Sequence, residues 1–220
     1  MNSELGLKSY SRKNRKKVII ILFHYHFWTP YVEETEKFYV DQGFRISLRN
    51  GKYNGEFQTF NPPLTWDDFR NKDITFRIIE ARKGAVNITF GYGKKVIFDH
   101  IGYLVSEFAY QEICDNAAKL NWKVDAGERR TFIATPYGFR FELQKYREVI
   151  DGTAEEAELK ELLVTVKKEG AEGDLAVLLG KENFLKTVLG QSVTIREAVI
   201  DGIKITGRTD PNGVSVIELK

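Results

Sequence analysis

The 220 residues hold 33 Lys and Arg against 31 Asp and Glu, and this near balance excludes a chain that is strongly basic or acidic throughout. A chain of this length buries a substantial core in one large or two small domains. Apolar residues are dispersed among charges of both signs, and no run approaches the roughly 20 apolar residues of a spanning helix, so no membrane partner is expected.

The charge is uneven along the chain. Residues 1–17 carry six Lys or Arg against Glu4, which leaves the body slightly acidic. That basic run followed by apolar Val18–Phe23 resembles a secretory signal. The apolar part is too short for one and no small-residue cleavage site follows, so it reads as the beginning of a core strand. Residues 1–16 are expected to form a disordered basic arm. With no aromatic platform interleaved in it, no nucleic-acid partner is expected. The single cysteine, Cys114, excludes a disulfide framework or cysteine-rich zinc site and points to the cytoplasm. Beside Ile113, Ala117 and Leu120 it reads as a small buried hydrophobe.

In chain order, Ile19–Trp28 reads as a strand of β-branched and aromatic residues, and Pro30 opens a helix that ends near Gly43. Strands follow at Phe44–Leu48, Gly55–Phe60, Asp73–Glu80 and Ala85–Phe90, interrupted by Pro62-Pro63 and a capped turn at Thr65-Trp66-Asp67-Asp68. A second unit has a strand at Val96–Val105, a helix over Ala109–Asn121, and strands at Trp122–Val124, Arg130–Thr135 and Phe139–Gln144. Residues Asp151–Glu158 are charged and read as a linker or the start of a helix. A weaker third unit has a strand at Leu162–Val166, a helix from Asp174 to Leu189, and strands at Val193–Ile200, Ile203–Gly207 and Val214–Leu219, with a turn at Asp210–Gly213.

Strand, helix, then several strands, repeated, predicts an α+β fold of βαβββ modules. The modules fall at 17–95 and 96–150, paired over 17–150, with a degenerate third module or small α+β extension at 151–220. With "FDHIGYLV" and "TPYGFRFELQ" in the second unit, and "HYHFWTPYVEETEKFYVDQGF" and "AVNITFGYG" in the first, the chain resembles the vicinal oxygen chelate superfamily. That superfamily includes glyoxalases, extradiol dioxygenases, fosfomycin-resistance enzymes and bleomycin-binding proteins. "DPNGVSVIEL" is similar to its closing turn and strand.

The resemblance implies a curved, cup-like mixed sheet holding one divalent metal ion, with Fe, Mn, Zn and Ni all open. Carried over position by position, it implies His24, His100 and Glu142 as ligands. The family spacing selects His24 over His26, which stays open as the alternative ligand. The fourth family position falls on Asn87, where glyoxalase I has a carboxylate.

Period-two alternation gives an independent reading of the same strands. His24, His26 and Trp28 share a face, with Phe23, Tyr25 and Phe27 opposite them. His100, Gly102 and Leu104 share another, Arg140 and Glu142 a third, and Asn87 and Thr89 a fourth. His26 and Arg140 are thus candidate catalytic residues, with a salt bridge as the alternative for Arg140. Trp28, Asn87 and Thr89 are candidate pocket-lining residues. The third unit lacks a histidine in its first strand and is expected to bind no metal, serving in packing or in a homodimer. The function implied is metal-dependent chemistry on a small molecule with vicinal oxygens or an enolisable carbonyl: dioxygenase, isomerase or lyase, or resistance-type transferase. The alternative is a metal-free protein that sequesters an antibiotic or toxin.

Overall fold

Residues 18–152, 157–180, 184–203 and 208–219 are described by the computed structural model. The arm expected at 1–16 and most of the strand expected at Ile203–Gly207 lie outside the described residues. In the first unit, strand β1 (Ile20–Thr29) leads to helix α1 (Val32–Asp41), which stops where Gly43 takes φ +84°. Strands β2 (Arg45–Tyr53) and β3 (Glu56–Thr59) form a hairpin. Its two-residue turn, Asn54-Gly55, has both φ angles positive, as a primed turn between twisted strands requires. Helix α2 (Trp66–Phe69) has the capping box expected at Thr65 and Asp68, and strands β4 (Thr75–Lys83) and β5 (Val86–Tyr92) complete the unit.

The second unit runs β6 (Ile97–Val105), α3 (Glu107–Lys119), β7 (Lys123–Ala126), β8 (Arg130–Ala134) and β9 (Arg140–Gln144). Ser106 caps α3 by accepting from the Ala109 amide, so this helix begins earlier than the apolar periodicity suggests. Both units join one nine-stranded mixed sheet, ordered β3-β2-β4-β5-β1-β6-β9-β8-β7. At its centre β1 and β6 are antiparallel, each flanked by the parallel closing strand of its own unit, β5 or β9.

Two β-bulges interrupt the central pair. Leu22 faces Tyr103 and His24 faces Gly102, which leaves Phe23 as an extra residue on β1. His26 faces His100 and Phe27 faces Phe98, which leaves Asp99 extra on β6. A bulge breaks strict alternation. Phe23 accordingly joins Ala85, Leu104 and Ile150 in a small cluster and lines the cavity beside His24, instead of sharing the opposite face with Tyr25 and Phe27.

The C-terminal segment forms a separate five-stranded sheet, ordered β11-β10-β12-β14-β13. It comprises β10 (Glu158–Val166), α4 (Ala171–Leu179), β11 (Leu185–Leu189), β12 (Thr194–Asp201), β13 (Arg208–Thr209) and β14 (Ser215–Glu218). The helix expected to reach Leu189 is shorter. Gly180, at φ +66°, ends it, and Leu185–Leu189 pairs parallel with β10 as an edge strand that buries Leu185 in the core.

This smaller sheet repeats the centre of the larger one. Strands β10 and β12 are antiparallel, flanked by the parallel strands β11 and β14. The bulges recur, with Lys160 the extra residue on β10 and Arg196 on β12. Register then places Glu161 and Glu197 where β1 and β6 carry His24 and His100, and Glu161 pairs with Lys186 at 2.8 Å.

One apolar core unites α1, α3, the face of the large sheet carrying Tyr25, Ile88, Ile101 and Phe141, and the inner face of the small sheet with Leu162, Val164 and Ala198. The other face of the large sheet is thereby left for polar residues. A buried bidentate pair, Arg49 to Glu36 (2.6 and 2.7 Å), ties β2 to α1, and Arg49 also donates to the Phe60 and Leu64 carbonyl oxygens of the proline insertion.

The C-terminal turn is latched to α1 by polar contacts. Tyr39 Oη donates to Asp210 Oδ2 (3.0 Å) and lies 2.7 Å from Tyr25 Oη, while Asp210 Oδ1 accepts from the Asn212 and Val214 amides. Burial raises the Asp210 pKa, though these donors oppose the shift. Tyr39→Phe leaves Tyr25 and Asp210 short of a buried partner and is expected to cost about 1–3 kcal/mol in urea-denaturation stability, with metal uptake unchanged.

Candidate metal centre

The concave face of the large sheet gathers the polar residues of four central strands. His24 and His26 come from β1, Asn87 and Thr89 from β5, His100 from β6 and Glu142 from β9, and all six are at least nine-tenths buried. They line an inner cavity together with Phe23, Ile78, Glu80, Arg130, Gln144 and Val149. Register explains the convergence, because His24 sits opposite both Asn87 and Gly102, and Gly102 in turn sits opposite Glu142.

His24 Nε2, His100 Nε2 and Glu142 Oε2 form a compact triangle. The separations are 3.0 Å between the two nitrogens, 2.9 Å from His100 to Glu142, and 3.7 Å from His24 to Glu142. Donor atoms about 2.1 Å from one cation stand about 3.0 Å apart at octahedral angles and about 3.4 Å apart at tetrahedral ones. The triangle fits a single ion, and these three residues are the group among the described residues that could hold one.

The outer ring nitrogens fix which lone pairs face inward. His24 Nδ1 donates to the Asn87 carbonyl oxygen (2.8 Å), which can only accept, so Nε2 presents a lone pair. His100 Nδ1 donates to the Asp99 carboxylate (2.8 Å), which is itself held by Arg140 Nη2 (2.5 Å), so its Nε2 points at the same place. Glu142 Oε1 accepts from Gln144 Nε2 (2.6 Å) and Oε2 faces inward. Three electron-rich atoms thus meet in a buried site, an arrangement that calls for a proton or a cation between them.

The titration behaviour follows from this crowding. Burial and the neighbouring His100 depress His24 to about 4, and burial with both other histidines keeps His26 well below its usual range. His100 is raised, since its hydrogen bonds to Asp99 and Glu142 outweigh burial. Burial alone would raise Asp99 and Glu142, but the His100 contact on each brings both to about 2.

His26 shares the face of His24 without joining the triangle. Its ring stacks on His100 at 8° with centroids 5.0 Å apart, and Nδ1 lies 2.7 Å from Thr89 Oγ1. His26 Nε2 and Asn87 Oδ1 are buried without a hydrogen-bond partner among the described residues. Trp28 does not line the inner cavity. It meets His26 edge-on, 4.8 Å between centroids, under the Arg77 guanidinium. Arg140 also stands outside the lining, stacked over Phe132 and paired with Asp99, so it reaches the site through His100. Sequence reasoning missed Asp99, Gln144 and Arg130. The adjacency of Asp99 to His100 was a usable signal, but strand alternation assigns neighbours to opposite faces and only the bulge overrides it.

No family model matches the sequence, and no curated protein does. Solved structures do match. The 2,2',3-trihydroxybiphenyl 1,2-dioxygenase of Sphingomonas wittichii strain RW1 aligns with TM-score 0.57 at 12% identity over 84% of this chain and 73% of its own. The vicinal oxygen chelate fold is the fold of this chain. Homoprotocatechuate 2,3-dioxygenase of Arthrobacter globiformis aligns with TM-score 0.57 at 10% identity, over 91% of this chain and 80% of its own. The Mn(II)-bound glyoxalase of Novosphingobium aromaticivorans aligns with TM-score 0.52 at 9% identity, over 82% and 65%. Identities this low speak for the architecture alone. Among the described residues no helix is long and apolar enough to cross a membrane.

Gly102 gives His24 its place. A Cβ at this position would stand 2.7 Å from His24 Cβ and 2.9 Å from its ring. Gly102→Ala is expected to displace the imidazole and weaken metal binding tenfold or more, with cooperative unfolding retained, as read by metal titration beside thermal denaturation.

Proposed function

We propose that this protein is a divalent-metal-dependent enzyme of the vicinal oxygen chelate type, acting on a small molecule with adjacent oxygens or an enolisable carbonyl. The observation that carries this reading is the triangle of His24 Nε2, His100 Nε2 and Glu142 Oε2, with both ring tautomers set from behind. Two imidazoles and one carboxylate leave positions for two substrate oxygens. A bound divalent ion, with Fe, Mn, Zn and Ni all compatible with this donor set, supplies Lewis acidity toward those oxygens and, for a redox-active metal, oxygen chemistry. Fold neighbours named as dioxygenases and as a Mn(II)-bound glyoxalase support this class.

His26 takes the role of acid and base. With Nδ1–H donated to Thr89 Oγ1, its unpartnered Nε2 is free to accept a proton from a substrate hydroxyl or carbon acid in the inner cavity, and burial keeps the ring neutral until then. Asn87 Oδ1, also unpartnered, accepts from a second substrate hydroxyl. Phe23, Ile78 and Val149 form the apolar wall that limits water around the reacting oxygens. Arg140 is a positioning residue, holding Asp99 against His100.

Elemental analysis of protein purified without chelator tests the reading. About one metal per chain is expected, lost in His24→Ala and in His100→Ala but retained in His26→Asn, whose defect appears in turnover. Equal trace metal in the parent and both alanine variants would favour the sequestering role instead. Proton release gives a second check. His100, raised by its two carboxylates, is protonated in the metal-free protein near pH 6, whereas His24 is neutral down to about 4. Calorimetry in buffers of different ionisation enthalpy should show close to one proton released per metal near pH 6. The release should fade as pH rises through the His100 pKa, with affinity rising over the same interval.

A further inference from the structure

The inner cavity shares Ile78, Glu80, Arg130, Gln144 and Val149 with a neighbouring outer cavity of about 630 Å³. Four guanidinium groups line the outer cavity, those of Arg45, Arg82, Arg129 and Arg130, against the carboxylates of Glu80 and Glu148. Two of these cations are neutralised where they stand. Arg82 donates to Glu80 and to the Glu148 carbonyl oxygen, and Arg45 forms a bidentate pair with Asp151. Glu80 Oε2, which takes both Arg82 donors, also accepts from Ser47 Oγ (3.1 Å).

Arg130 and Arg129 differ from those two. The nearest carboxylate oxygen to Arg130 is Glu142 Oε1 at 3.7 Å, beyond hydrogen-bond distance, and that oxygen already accepts from Gln144. The Arg130 guanidinium lies over the Phe132 ring, 5.4 Å from its centroid, and the residue borders both cavities. Arg129 makes no hydrogen bond or ion pair among the described residues. Among the described residues, Arg130 has only the long pair to Glu142 and Arg129 has no anion, and both stand beside a cavity that shares its lining with the one holding the ligand triangle and walled by Phe23, Ile78 and Val149.

We infer that Arg130, assisted by Arg129, is a specificity-determining residue, selecting substrates in which the chelating oxygens are joined through an apolar body to a carboxylate or similar anion. A guanidinium offers its paired donors to a planar carboxylate, and among the described residues no side chain accepts a hydrogen bond from Arg130. Among the described residues lining the outer cavity, Glu148, exposed at the rim, is the carboxylate not paired to a cation, and it does not border the inner cavity. The inference rests on the proposed metal reading and names the substrate class for that same site.

The test uses the full chain loaded with metal and two probes that share a vicinal diol, catechol and 3,4-dihydroxybenzoate, titrated by calorimetry. The carboxylated probe is expected to bind tenfold or more tightly. Arg130→Gln should cut that preference to threefold or less, and Arg129→Gln should reduce it partially. Equal binding of the two diols by the parent protein, or no binding of either, overturns the inference. Arg130→Gln weakening both probes alike does so too, since Arg130 would then act by supporting Glu142. Metal content is measured first. A metal-free parent protein removes the proposed function and this inference together, whereas a metal-loaded protein without charge preference removes this inference alone.

Discussion

The structure depends on the convergence of three acceptor atoms, from residues 24, 100 and 142, inside a protein interior. Such a cluster repels itself unless something positive sits within it. Each member is held by a second group that prevents relief by rotation, namely the Asn87 carbonyl behind His24, the Asp99–Arg140 pair behind His100, and Gln144 on the outer oxygen of Glu142. Back-bonding of this kind costs organisation in the empty site and returns it as affinity when a cation binds.

The sheet supplies the geometry. Antiparallel pairing of β1 with β6, each flanked by a parallel closing strand, brings the middle of four strands into register within one concave face. The two bulges then turn Phe23 and Asp99 toward that face, adding an apolar wall and a carboxylate that unbroken alternation would have pointed away. The C-terminal sheet retains the same central pairing and bulges with Glu161 and Glu197 at the histidine positions. The scaffold thus recurs without the histidines, and its inner face serves to cover the back of the large sheet.

Burial of the back face makes the concave face polar by subtraction. Once Tyr25, Phe27, Ile88, Ile101 and Phe141 are committed to the shared core, the alternate residues of the same strands must face the cup. What faces the cup is graded. The innermost residues hold the triangle and His26, the walls are apolar, and the rim is rich in arginine.

Local pattern alone determined the strand and helix order of the first two units, the faces carrying His24, His100, Asn87, Thr89 and Glu142, and the turn at Asp210–Gly213, because side-chain period and turn chemistry are properties of neighbours in sequence. Tertiary structure sets His24 apart from His26. Both lie on one face of β1, and only the position of β6 makes one ring point its nitrogen at Glu142 while the other stacks on His100. It also decided the bulges, the parallel strand at Leu185–Leu189 and the arginine rim. Each of these follows from what lies across a strand pair or cavity, and residues far apart in the chain carry no mark of that adjacency until the sheet has closed around them.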